Sequence, residues 1–336
     1  MTPQQLTILS ETLRRRLVEV VYRAKAGHIG GDLSCLNVLT ALYFHVLQGI
    51  EPPHPPLIPS PLRPAVYPPE PPSPPPSPLR PAVYPPEPPS PPPSPLRPAV
   101  YPPEPPSPPP SPLTSNPLRD RFILSKGHCV EALYVTLEAR GFLRPDVLDT
   151  LGQFGSTLSG HPTIEVPGIE VNSGALGHGL SIGVGMAIAA KKDNAPWRTF
   201  VLMGDGEQGE GSIYEAAMAA KRYHLDNLVA IIDRNHLQIS GNTEDVMPID
   251  SIHDRWTAFG WDVVSMNGND MADIVATFDA IDYQGGRPHL VVSETTKGYG
   301  VSFMEGIAKW HHGVLNEEQC QAAVAEIEER IKTLSK

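Results

Sequence analysis

Residues 199–243 read TFVLMGDGEQGEGSIYEAAMAAKRYHLDNLVAIIDRNHLQISGNT. The run 199–203 is apolar with β-branched members and stops at Gly204-Asp205-Gly206, which predicts a buried strand ending in a turn. Ile213, Ala217 and Ala220 then recur at spacings of three and four, as on a helix, and 228–232 is a second apolar strand. A β-α-β unit of this kind builds a parallel sheet with ligands bound beyond the carboxyl ends of its strands. The expected fold is therefore α/β, a doubly wound and mostly parallel sheet.

Asp205 and Asn235 would stand side by side at two such strand ends. Magnesium takes about six hard oxygens, commonly from a carboxylate, an amide or backbone carbonyl, water and ligand phosphates. Asp205, the side-chain oxygen of Asn235 and the carbonyl of Leu237 are suitable donors. Gly204 and Gly206 let the backbone approach a diphosphate, and Ser173-Gly174-Ala175-Leu176-Gly177 would bring further amides to the same ligand.

GDGEQGEGSIYEA followed by DRNHLQISG resembles the thiamine-diphosphate motif of the transketolase family. AKAGHIGG (24–31), DRFILSKGH (120–128), GSTLSGHP (155–162), VNSGALGHGLSIGVGMA (171–187), ETTKGYG (294–300) and KWHHG (309–313) match that family in the same order. The resemblance spans residues 5–50 and 113–320 and is closest to the split form, whose amino-terminal, diphosphate-binding half is a separate polypeptide. It implies the thiamine-diphosphate-binding fold of the PP type, with thiamine diphosphate and Mg2+ or another divalent cation as cofactors. The implied reaction moves a two-carbon ketol unit from a ketose, or its phosphate, to an aldose; the cofactor is the electron sink, and the protein aligns hydroxyls and shuttles protons.

By the same resemblance, His28 and His161 are donor-sugar contacts, and His128 lies beside the diphosphate and the reacting centre. Near the carboxyl end the family has a Trp-His-Gly turn, and this chain reads Trp310-His311-His312-Gly313. Alignment on Trp310 selects His311, and alignment on Gly313 selects His312. Lys297 matches a diphosphate-proximal lysine, Glu207 falls within the cofactor motif, and Glu210 resembles a subunit-interface glutamate. Ile29 departs from a common proline, Gly31 from a hydroxyl residue and His178 from a common glutamine. Imidazoles suit this chemistry because they move protons near neutral pH without a fixed charge.

The family holds the cofactor's pyrimidine ring on a second domain, and no second GDG-like unit occurs here. A carboxy-terminal transketolase subunit with a pyrimidine-binding domain is thus the expected partner, in a two-fold heterotetramer. Related readings are a subunit of a 2-oxoacid dehydrogenase or deoxyxylulose-phosphate synthase, or a non-catalytic scaffold. Pentose-phosphate interconversion is the family's default.

The whole chain has 336 residues, 40% hydrophobic content and a net charge of −11, which suits one large domain and argues against nucleic-acid or anionic-membrane partners. Three cysteines without metal-ligand spacing point to neutral thiols in a reducing compartment, and with no apolar run of about eighteen residues a cytoplasmic location is expected. Leu6, Leu9, Leu13, Leu17 and Val20 mark a first amphipathic helix with Arg14–Arg16 on its wet face, and 33–47 reads as a buried second helix. Strands are expected at 121–124, 169–171 and 288–293, and helices at 130–138 and 316–336.

Residues 51–117 form a Pro-rich insertion in which 60–76, 77–93 and 94–110 are identical copies of SPLRPAVYPPEPPSPPP. Twenty-seven of the 41 prolines lie in these copies, so a disordered surface loop of polyproline II character is expected, about 160 Å long if fully extended. Such an array either serves as a ligand for aromatic grooves or is a neutral duplication in a permissive loop; the perfect identity of its copies favours the latter.

Overall fold

The computed structural model describes residues 1–56 and 116–336, so the repeat array and the disorder expected of it lie outside the described residues. Among the described residues five strands, β1 (Arg121–Leu124), β2 (Thr199–Gly204), β3 (Leu228–Arg234), β4 (Asp262–Asn267) and β5 (His289–Glu294), form one sheet. Every pairing is parallel, in the order β1-β2-β3-β5-β4. The helices are α1 (Pro3–Ala24), α2 (Ile29–Ala41), α3 (Val130–Arg140), α4 (Pro145–Leu148), α5 (Gly179–Lys192), α6 (Gly211–Arg222), α7 (Thr243–Val246), α8 (Ile252–Ala258), α9 (Met271–Asp279) and α10 (Glu317–Leu334).

Side chains alternate between two cores, as the period of a strand requires. Val201, Met203, Ala230, Ile232, Leu290 and Val292 join Leu180 and Val184 of α5, Ile213 and Ala217 of α6 and Trp256 of α8. Phe200 points the other way and meets Phe278 of α9, its ring centroid 6.5 Å away. On that side α1, α2, α3, α9 and α10 pack together. With helices on both faces, β3 is buried at every position, which explains an uninterrupted apolar run in place of alternation. Each fully buried Val, Leu or Ile contributes about 1.5–3 kcal/mol relative to exposure.

Local sequence sets the helix ends. Thr2 and Gln5 form a capping box at α1, and Asn316 and Gln319 form another at α10. Between α1 and α2, Lys25 is left-handed at φ 52°, and the His28 carbonyl accepts from the amides of Gly31 and Asp32, which starts α2 at once. The second helix thus begins four residues before the 33–47 expectation, and its α-helical part ends at Ala41 in a wider turn over Leu42–Val46.

Two further expectations are corrected, and one strand had no expectation. Arg14 and Arg15 are buried, because α1 is enclosed by other helices: Arg14 bonds the carbonyls of Leu33 (3.1 Å) and Tyr299 (2.7 Å) and the side chains of Asn37 (2.7 Å) and Glu11 (3.1 Å). Residues 169–171 form no strand, since the Ile169 amide bonds the Val166 carbonyl in a turn. Edge strand β4 went unread, although the β-branched pair Val263-Val264 after Trp261 was a usable signal.

Candidate active site

The carboxyl ends of β2 and β3 are adjacent, with Gly204 in register with Asp233. Asp205 Oδ1 accepts from the Gly206 amide at 2.7 Å, and its Oδ2 accepts from the His236 amide at 2.8 Å and the Thr243 hydroxyl at 3.2 Å. The bond to His236, which lies between Asn235 and Leu237, ties Asp205 to the segment that carries the other two expected cation ligands. Asn235 accepts from the Leu237 amide at 3.2 Å, and the Leu237 carbonyl accepts from Lys297 Nζ at 2.8 Å. Burial, and then the neighbouring Asp233 carboxylate, push the Asp205 pKa up, partly offset by the Gly206 amide, Arg234 and Lys126.

Two successive glycines bring the histidine turns together. A side chain on Gly30 would come within 2.6 Å of the Trp310 carbonyl, and one on Gly31 within 2.6 Å of Cys129 Sγ. The start of α2 therefore wedges between the SKGHC and KWHH turns. As a result the His28 ring lies 5.2 Å from His128, 5.7 Å from His311 and 4.8 Å from His312, and His128 stacks on His311 at 5.4 Å. His161 stands at the rim, exposed and packed against Gly174, whose φ of +128° holds the chain clear of that imidazole.

His311 and His312 part company here. Lys297 Nζ lies 2.7 Å from Nδ1 of His311, which is half-buried, whereas His312 is exposed beside His28. Burial and the Lys297 charge push His311 down to about 3, and burial and the His128 charge push His28 down to about 4. Both rings are neutral at pH 7. Because Nδ1 of His311 faces an ammonium, it accepts, and the ring proton sits on Nε2. Lys297 is itself buried and pushed down to about 8, by burial first and Lys126 second.

Glu207 turns inward. Its carboxylate accepts from the Gly177 amide (2.8 Å), the Gly204 amide (3.0 Å) and the Ser125 hydroxyl, tying three loops together. The first partners of the Gly204 and Gly206 amides are thus protein carboxylates, those of Glu207 and Asp205. Gly174, Ala175 and Leu176 form the adjoining wall, anchored where the Ser173 hydroxyl bonds the Leu124 carbonyl at 2.7 Å. Glu210 is exposed at the start of α6.

Behind this wall lie groups the sequence reading missed. Lys126, of the SKGH turn, pairs with Asp233, and both side chains are 1% exposed. Their strand-end positions were the available signal. Asp32 and Glu131 are a buried carboxyl pair below His28, each with one oxygen lacking a protein donor. Burial pushes Glu131 up to about 8 and raises Asp32 as well, so a proton is retained between them.

The residues fit a metal-bound diphosphate. Among the described residues no three His, Cys, Asp or Glu side chains converge as a metal cluster. One carboxylate, one amide oxygen and one carbonyl are a set that magnesium completes with water and phosphate oxygens. The buried Lys297 ammonium, in turn, calls for an anion.

Such a corner, at the carboxyl edge of a parallel α/β sheet, belongs to a domain built to hold a phosphorylated cofactor. Residues 109–328 match the family model described as transketolase, thiamine diphosphate binding domain. The chain belongs to the transketolase family and carries its thiamine-diphosphate-binding part. It is 57% identical over 336 residues to a subunit of the apulose-4-phosphate transketolase of Phocaeicola vulgatus, covering 100% of this chain and 98% of that one. It is 33% identical over 331 residues to the 6-deoxy-6-sulfo-D-fructose transketolase subunit SqwG of Clostridium sp. (strain MSTE9), covering 98% of each. The transketolase structure from Campylobacter jejuni superposes with a TM-score of 0.73 at 26% identity. That match covers 99% of this chain but 43% of the other, so the chain spans less than half of that solved enzyme. No helix among the described residues is long and apolar enough to cross a membrane.

Proposed function

We propose that this chain is the diphosphate-binding subunit of a split transketolase, a single PP-type domain with a Pro-rich insertion at 51–117. The convergence of His28, His128, His311, His312 and Lys297 beside the Asp205–Asn235 corner carries the reading. Asp205, Asn235 and the Leu237 carbonyl would hold Mg2+, with Lys297 facing the diphosphate. Bound thiamine diphosphate supplies the electron sink for making and breaking a carbon–carbon bond beside a carbonyl. His311 offers an Nε2 proton to a phosphate or sugar oxygen while Lys297 holds its tautomer. His28, neutral at pH 7, accepts from or donates to a ketose hydroxyl, and His161 meets the sugar at the rim. His128, stacked on His311, lies next to the reacting centre. Glu207 serves the cofactor through the loops its carboxylate joins, and Gly174–Leu176 would line the cofactor.

The pyrimidine-binding domain would come from a carboxy-terminal subunit in a two-fold heterotetramer, with exposed Glu210 facing it. Buried cysteine side chains at Cys35, Cys129 and Cys320 support a reducing, cytoplasmic setting. Apulose 4-phosphate, the ketose named for the P. vulgatus relative, is the first donor to test, ahead of the common pentose phosphates. The test is co-purification of the partner, followed by ketose-plus-aldose assays alongside pyruvate decarboxylation. Ketol transfer by the pair and none by the chain alone is expected. Transfer by the isolated chain refutes the partner requirement, and decarboxylation without transfer refutes the reaction.

A further inference from the structure

We propose that Asp233, held by Lys126, is the positioning residue that turns the Asn235 amide oxygen toward the cation. This rests on the reading of Asp205 and Asn235 as cation ligands. The Asp233 carboxylate collects four donors from four parts of the chain. Its Oδ2 accepts from Asn235 Nδ2 at 2.9 Å, from the Ser34 hydroxyl of α2 at 2.6 Å and from Lys126 Nζ, and its Oδ1 accepts from the Thr295 hydroxyl, just past β5, at 2.6 Å.

An ionised carboxylate only accepts, so the face that Asn235 presents to it is the NH2 face. The opposite flip would set two oxygens against each other in a buried place, where an unpaired acceptor is costly. The Asn235 oxygen is therefore turned away from Asp233 and accepts from the Leu237 amide at 3.2 Å, which leaves a lone pair for a cation. A hard cation binds the oxygen of an amide and not its nitrogen, so this orientation decides whether Asn235 is a ligand at all. Lys126 supplies the opposite charge that a carboxylate 1% exposed requires. The Asp233 carbonyl also accepts from the Asp205 amide at 3.2 Å, so one residue sets the places of both ligands.

The test is Mn2+ binding to the full chain together with its co-purified partner subunit and thiamine diphosphate, read as the loss of the free-ion electron paramagnetic resonance signal. The wild type is expected to bind one Mn2+, and Asp205→Ala to lose that binding. The charge-balanced double variant Lys126→Met/Asp233→Asn should weaken binding by roughly ten- to a hundredfold, as outer-shell changes do. Adding Asn235→Asp to the double variant should restore most of the affinity, because a carboxylate presents an oxygen whichever way it turns. Ser34→Ala, which removes another partner of Asp233, should stay within about twofold of the wild type. Unchanged affinity in the double variant, or a loss that Asn235→Asp does not repair, overturns the positioning role and leaves the cation site standing. No saturable binding by the wild type, or none lost in Asp205→Ala, overturns the cation reading and this inference with it.

Discussion

Lys297 Nζ and His311 Nδ1 lie 2.7 Å apart, and the same ammonium reaches the Leu237 carbonyl at 2.8 Å. One buried cation thereby joins a histidine of the carboxyl-terminal turn to the strand end that would hold the metal. Replacing it with Met removes the charge and keeps the volume. We expect Lys297→Met to lower thiamine-diphosphate affinity at least tenfold, about 1.4 kcal/mol, in calorimetric titrations with Mg2+ present. Affinity within twofold of wild type would remove Lys297 from the diphosphate site.

The depressed proton affinities of His28 and His311 have a defined sign. Both fold with values of about 4 and 3, below the 6.5 of a free imidazole, so the stability they contribute is complete above pH 6.5. It is lost as pH falls toward 3–4. Their ring resonances should remain neutral at pH 5.5 in NMR titrations, and Lys297→Met should raise the His311 value. Titration of the wild-type His311 near 6.5 would contradict its contact with Lys297.

Glu131 acts with the opposite sign. Its value rises from 4.5 to about 8, so its contribution is full below 4.5 and is lost as pH climbs through 8. Glu131→Gln retains a neutral hydrogen-bonding group, and its Tm relative to the wild type should increase steadily between pH 5 and 8. A pH-independent difference would mean that the Asp32–Glu131 pair keeps no proton.

Arg14 is fully buried and bonds two carbonyls and two side chains. Arg14→Ala should cost about 3–5 kcal/mol in urea unfolding, the usual loss when one member of a buried charged network is removed. A loss under 1 kcal/mol would fit a solvated helix face instead.

The three identical repeats make a further prediction, from sequence alone. Removing residues 60–110 should leave folding and, with the partner present, ketol transfer within about twofold of the full chain, since lengthening a flexible loop costs only about 0.6 kcal/mol per doubling. A large drop in turnover at unchanged Tm would give the array a role in catalysis.

The positions of most candidate site residues were legible because they sit in short, local patterns. The glycine-bounded Asp205 and the strand-end Asn235 could be placed from periodicity alone, and the structure puts them at adjacent strand ends joined through the His236 amide. Edge strand β4, half exposed, has a weaker pattern than β2 or β3 and was missed. The arginines of α1 were misread because a charged residue next to an apolar stripe looks solvated until the helices that cover it are known.

By itself, the sequence determined the β-α-β unit, the family resemblance and which residue types could serve a diphosphate, all consequences of spacing along a few turns or one strand. Tertiary structure alone decided that His311, and not His312, meets Lys297, that Glu207 faces inward, and that Asp233 gathers Ser34, Lys126, Asn235 and Thr295. The reason is physical: a buried charge is defined by its partners, and those of Asp233 lie as far as 199 residues away in the chain. They meet only when α2, the turn after β1 and the ends of β3 and β5 close on the same edge of the sheet.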